Sequence, residues 1–190
     1  MLKQKINSRR GFTIIEVVLV LAIAGLIFLM VFLALPALQR SQRDTQRRSD
    51  FSEFLTQVSN YQSNNRGRLP GTKQDWENFI ATYLRPADNG CYRSQTSTKY
   101  TNNSNGSGSA CTPTTFLDPI GEPYYIESVT EKADVAAKGK QALNWNTDKY
   151  KIYVYMNATC DGENAVLSDG GRNVAIRTKL EGGGTYCGHN

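Results

Sequence analysis

Between Phe12 and Leu35 the chain runs for 24 residues with a single charged side chain, Glu16. As a helix this stretch measures about 36 Å at about 1.5 Å per residue. That covers a hydrocarbon core of about 30 Å with some tilt. From Val17 onward it is apolar on every face, so no stripe separates a core side from a solvent side. A helix of this kind is expected in lipid or in a bundle of its own kind, and the rest of the chain must fold as an appended soluble domain. At 190 residues the length suits one compact domain plus such appendages.

The residues ahead of the run decide how it is used. MLKQKINSRRG holds Lys3, Lys5, Arg9 and Arg10 and no acid. A secretory signal places a basic region, then an apolar region, then a small-residue cleavage site. Here the glycine precedes the apolar run and no A-x-A-like site follows it. The expected cut therefore lies before the run and leaves the apolar helix on the mature protein. Basic residues ahead of the helix favour a cytoplasmic N-terminus, while Arg40, Arg43, Arg47 and Arg48 beyond it oppose that bias weakly. Loss of the first eleven residues removes four bases and lowers the formal charge from +5 to about +1. The basic pI therefore does not signal a nucleic-acid partner.

Glu16 is out of place in an apolar helix, because a carboxylate in a membrane segment costs about 2.5–3.5 kcal/mol at the centre and less near an end. RRGFTIIEVVLVLAIAGLIF resembles the type IV prepilin signature: basic leader, Gly, Phe, three residues, Glu, then an apolar helix. The resemblance covers about a tenth of the chain. It implies cleavage between Gly11 and Phe12 by a prepilin peptidase, which also methylates the new N-terminus at Phe12. Glu16 takes the position of the family's glutamate. Cleavage would create an ammonium on Phe12, which a carboxylate four residues on, or that of a neighbouring subunit, can pair with in low dielectric. Pro36 lies a few residues later than the family's usual helix proline.

Phe51, Phe54, Leu55, Val58 and Tyr61 recur with helical spacing and predict that the helix continues to about Asn64. Such a helix would be about 80 Å long. Between Gln39 and Asp50 there is no large apolar residue, which predicts a solvated neck. Asn64, Asn65 and Gly67 close the helix, with Pro70 beyond. A second helix is expected over 73–84, started by a capping-box-like Thr72 and Asp75 and presenting Trp76, Phe79, Ile80, Tyr83 and Leu84 on one face. SQTSTKYTNNSNGSGSACTPTT reads as a loop. In the last third, KIYVYM and NVAIRTKL alternate with period two between glycine-rich turns, which predicts an antiparallel sheet.

The four cysteines, Cys91, Cys111, Cys160 and Cys187, suit two disulfides in an oxidising compartment, and three pairings are possible. The economical pattern joins sequence neighbours, Cys91 with Cys111 across the polar loop and Cys160 with Cys187 around the C-terminal strands. The second resembles the disulfide-bounded C-terminal region of major pilins. Zinc is disfavoured, because no CxxC is present and His189 is the one histidine. DPIGEPY, residues 118–124, resembles a turn of pilins and major pseudopilins, some of which hold calcium nearby. It is read here as a rigid Pro/Gly turn, since no dense run of oxygen ligands follows. Asn102, Asn105 and Asn157 stand in N-x-S/T sequons, weak signals for glycosylation.

The sequence thus predicts an α+β protein with a pilin-like fold: a long N-terminal transmembrane and spacer helix packed on an antiparallel β-sheet head. The expected segments are a leader at 1–11, a filament-core helix at 12–35, its continuation into the head at 36–65, and a two-disulfide head at 66–190. No catalytic motif, metal site or cofactor site is expected. The resemblance implies a structural subunit of a type IV pilus serving adhesion, twitching motility or DNA uptake. The alternatives are a pseudopilin of a type II-like secretion system or a minor pilin, and, from another class, a membrane-anchored enzyme or binding protein whose N-terminus mimics the signature, which the missing catalytic set disfavours. The implied partners are the prepilin peptidase/methyltransferase, other pilin subunits, an inner-membrane assembly platform, and membrane lipid before assembly. The implied location is a single-pass membrane protein with a cytoplasmic N-terminus, then the extracellular pilus.

Overall fold

The structure, a computed structural model, describes residues 11–85, 91–93, 100–101, 109–129 and 132–190. The leader up to Arg10 and the sequons at Asn102 and Asn105 lie outside the described residues. Two units are distinguished, one ending at Gln39 and one spanning Arg40–Asn190, and helix α1 (Ile14–Asn64) contributes to both.

In the first unit the apolar part of α1 is exposed on all faces, with only Ala24 partly covered. It is long and apolar enough to cross a membrane by length and composition. Pro36 sits inside the helix and carries no amide proton, so the carbonyl of Phe32 loses its usual i+4 donor.

In the second unit α1 supplies one wall of the core. Phe51, Phe54 and Val58 are wholly buried, packed against Trp76 and Phe79 of α2 (Lys73–Phe79) and against sheet residues Ile152, Val154, Val174 and Ile176. Phe54 stacks on Trp76 and meets Phe79 edge-on, with ring centroids 6.4 and 5.7 Å apart. The start of α2 follows its sequence. The Thr72 side chain accepts from the Asp75 amide, and the Asp75 carboxylate accepts from the Thr72 amide. The expected single helix over 73–84 changes pitch, because residues Ile80–Leu84 form a π-helical turn that ends with the Arg85 amide donating to the Ile80 carbonyl.

The main sheet has the order β3 (Tyr125–Val129), β4 (Lys151–Met156), β7 (Val174–Lys179), β8 (Thr185–His189). β4–β7 and β7–β8 are antiparallel. β3–β4 is parallel, which the period-two pattern of single strands did not reveal. The reason is the connection. Helices α3 (Lys132–Lys138) and α4 (Trp145–Asp148) lie between the two strands, and a crossover of this length returns the chain in the same direction. Small ladders of β1 (Tyr92–Arg93) with β2 (Tyr100–Thr101) and of β5 (Ala158–Asp161) with β6 (Asn164–Leu167) complete an antiparallel-dominated α+β fold of pilin-like type.

Cys91 is joined to Cys111 and Cys160 to Cys187. The second bridge ties β5 to edge strand β8 across 27 residues. Closing a loop of that size in the unfolded chain is worth about 3–4 kcal/mol. The double variant Cys160→Ser/Cys187→Ser should therefore lose about that much stability in urea unfolding. A loss under about 1 kcal/mol would show that the bridge leaves the unfolded chain unconstrained.

The solvated neck expected at Gln39–Asp50 holds for most of its residues and is corrected on one face. Asp44 and Arg47 are buried, and they extend the face of Phe51, Phe54 and Val58 backward by helical steps. Their burial is stabilised by charge pairing instead of apolar area.

Candidate functional site

The first candidate site is the N-terminal motif. Gly11, Phe12 and Thr13 precede the first helical residue, so the Gly11–Phe12 peptide bond is exposed and outside the hydrogen-bonded helix. A side chain at Gly11 would meet nothing within 4 Å. Phe12 is 89% exposed. Phe12 and Glu16 lie one turn apart, on the face that also carries Val17, Val20 and Leu21.

Glu16 has a definite local role. Its Oε2 accepts from the Thr13 amide and from the Thr13 hydroxyl, each at 2.9 Å, and the Glu16 amide donates back to Thr13 Oγ1. This is a capping box, with Thr13 as N-cap and Glu16 three residues on. It satisfies amides that otherwise have no partner and places a negative charge at the positive end of the helix dipole. The T-x-x-E spacing ahead of the apolar run was the sequence signal for it.

Residues 6–32 match the family described as the prokaryotic N-terminal methylation motif. The chain carries a prepilin-type N-terminus. Comparison with curated proteins and with solved structures gave no match. The matched stretch includes Gly11, Phe12 and Glu16, the residues singled out from sequence.

The head has a second cluster that sequence reasoning missed. Arg47 Nε and Nη2 donate to the two oxygens of Asp118, at 2.5 and 3.1 Å. Arg47 Nη1 donates to Asp44 Oδ1 at 2.8 Å and to Glu181 Oε2 at 3.2 Å. Arg43 grips Glu181 with a second fork, at 2.8 and 2.6 Å. Asp44 in turn accepts from the Glu181 and Gly182 amides. The Arg47 guanidinium lies over the Trp145 ring, 4.9 Å from its centroid. Burial disfavours its charge, but the bonds it donates to Asp118 and Asp44 more than offset that and raise its pKa. The Arg43 fork, and then Arg47, hold the Glu181 carboxyl down at about 2 against the opposing effect of burial. Nearby Asp50 moves the other way, raised by burial although it accepts from the Tyr124 hydroxyl.

This cluster also defines DPIGEPY. Asp118 and Glu122 close a tight loop, with the Asp118 amide donating to the Glu122 carbonyl and Gly121 at φ 89°, where glycine is favoured. The cation facing Asp118 is the Arg47 guanidinium. Among the described residues no group of three or more His, Cys, Asp or Glu is placed to hold a metal.

Proposed function

We propose that this chain is a structural, non-enzymatic subunit of a type IV pilus. What carries the reading is the methylation motif, which runs from ahead of α1 into its exposed apolar part. Before processing, the N-terminus is cytoplasmic and the helix sits in lipid. A prepilin peptidase cuts after Gly11, where the exposed bond and bare glycine offer no steric hindrance, and methylates Phe12. The new ammonium then competes with Thr13 for Glu16, of its own chain or of a neighbour, and the assembly platform moves the helix from lipid into a bundle of identical helices. The heads face outward and serve adhesion, twitching motility or DNA uptake.

Two measurements test this. N-terminal mass analysis of the protein from cells should find methylated Phe12, and an intact leader or a cut beyond the apolar run would refute the processing step. Electron microscopy of cells lacking the gene should show loss of long surface fibres with little change in secreted proteins. Persisting fibres with exported proteins retained inside would replace the pilus by a type II-like pseudopilin. No change in either would point to a minor pilin or an anchored binding protein.

A further inference from the structure

Within the head, α1 stops in a manner its fold does not require. The Gly67 amide donates to the Gln62 carbonyl at 2.7 Å, a six-to-one turn, and Arg66 closes that turn at φ 57°. The closing position ordinarily belongs to glycine, because a Cβ there crowds the chain's own carbonyl. Here the glycine comes one residue later, also left-handed at φ 76°. An arginine thus occupies a strained position that glycine would fill with less strain, and strain of this kind concentrates where a side chain is used.

Arg66 has company. Arg68 is exposed beside it, and a guanidinium nitrogen of Arg172 lies 3.3 Å from where a Gly67 Cβ would stand. Among the described residues none of these three guanidiniums forms an ion pair. Arg66 and Arg68 line an open, largely polar cleft of about 430 Å³ with Tyr61, Asn64, Asn65 and Asp75. The amide nitrogens of Asn64 and Asn65 are used internally, on the Tyr83 hydroxyl and the Tyr61 carbonyl. Asp75 Oδ2 holds the α2 cap. Both Asn side-chain oxygens and Asp75 Oδ1 are left as acceptors among the described residues, next to unpaired forked donors.

We propose that this cleft binds an acidic saccharide. Sugar hydroxyls donate to Asn64, Asn65 and Asp75, and a carboxylate or sulfate on the sugar is held by the forks of Arg66 and Arg68. Asp75 disfavours a bare polyanion such as a phosphodiester chain, which offers it no donor. The proposal stands on the head alone and does not rest on the filament reading.

The test uses the full chain in a polyoxyethylene detergent, with a chondroitin sulfate disaccharide as probe. Lactose, inorganic sulfate and a short oligothymidylate serve as comparisons, with binding followed by calorimetry. The disaccharide should bind with Kd below about 1 mM and each comparison at least about tenfold more weakly. Arg66→Gly should melt at or above the wild-type temperature, because strain is relieved, and bind the disaccharide at least about tenfold more weakly. Unchanged binding in Arg66→Gly, or a lower Tm, overturns the proposal. Equal or tighter binding of the oligonucleotide overturns it in favour of a nucleic-acid surface. Equal binding of lactose removes the acidic group from the recognition.

Discussion

Replacing Arg47 with Met should destabilise the head by about 3–5 kcal/mol, the usual consequence of removing one partner from a buried ion pair. The Asp118 side chain is fully buried, and without Arg47 its carboxyl group would lose both forked donors. The penalty is the stranded carboxylate more than the lost attraction, so Arg47→Met/Asp118→Leu should recover much of the stability. Urea unfolding of the full chain in detergent, with both disulfides intact, reads both. A loss under about 1 kcal/mol for Arg47→Met would mean that water reaches Asp118 readily. The same cluster sets an acid limit. Glu181 is depressed to about 2 when folded, against about 4.3 in an unfolded chain, so its contribution is complete above about pH 5 and is lost as pH falls towards 2. Asp50, raised by burial, has the opposite sign and partly offsets this on acidification. Glu181→Gln should flatten the stability profile between pH 5 and 2.

Glu16→Val should leave the protein in the membrane, since the helix becomes more apolar, yet reduce filament yield by at least about tenfold. The structure shows Glu16 capping α1 through Thr13; under the proposed processing it would also be the carboxylate one turn from a Phe12 ammonium. Glu16→Gln separates these. An amide oxygen still accepts from the Thr13 amide but carries no charge, so capping survives and pairing does not. The pairing account requires Glu16→Gln to assemble as poorly as Glu16→Val. Fibres at wild-type yield from Glu16→Gln, counted by electron microscopy or shearing, would leave capping as the only role. A cap alone is worth about 0.5–2 kcal/mol.

The elements legible in the sequence were those whose signal is local. The apolar run, the α1 stripe, the Thr72 cap and the alternation of β4 and β7 each depend on neighbours within a few residues, and each stands in the structure. The buried start of the stripe is not legible as apolar periodicity, because at 44 and 47 the inward positions are Asp and Arg. Nothing near Arg47 announces Asp118 or Glu181, which lie 71 and 134 residues away. The parallel β3–β4 pairing escaped for the same reason, since alternation fixes which side of a strand faces in but not which strand lies beside it. In the N-terminal motif the residues were legible as a signature, while the Thr13–Glu16 cap needed the helix start to be located.

The long reach of the Arg47 cluster also sets an order of events in time. Its three carboxylates come from α1, from the 118–124 turn and from the stretch after β7, so the cluster stays incomplete until residue 181 has reached the same compartment as residue 47. Contacts of such separation form late, after loop closure has been met by other interactions. A chain threading through a narrow export channel would thus pass most of its head while this lock is still open. Under the proposed export of the head, firm closure would come at the end of passage.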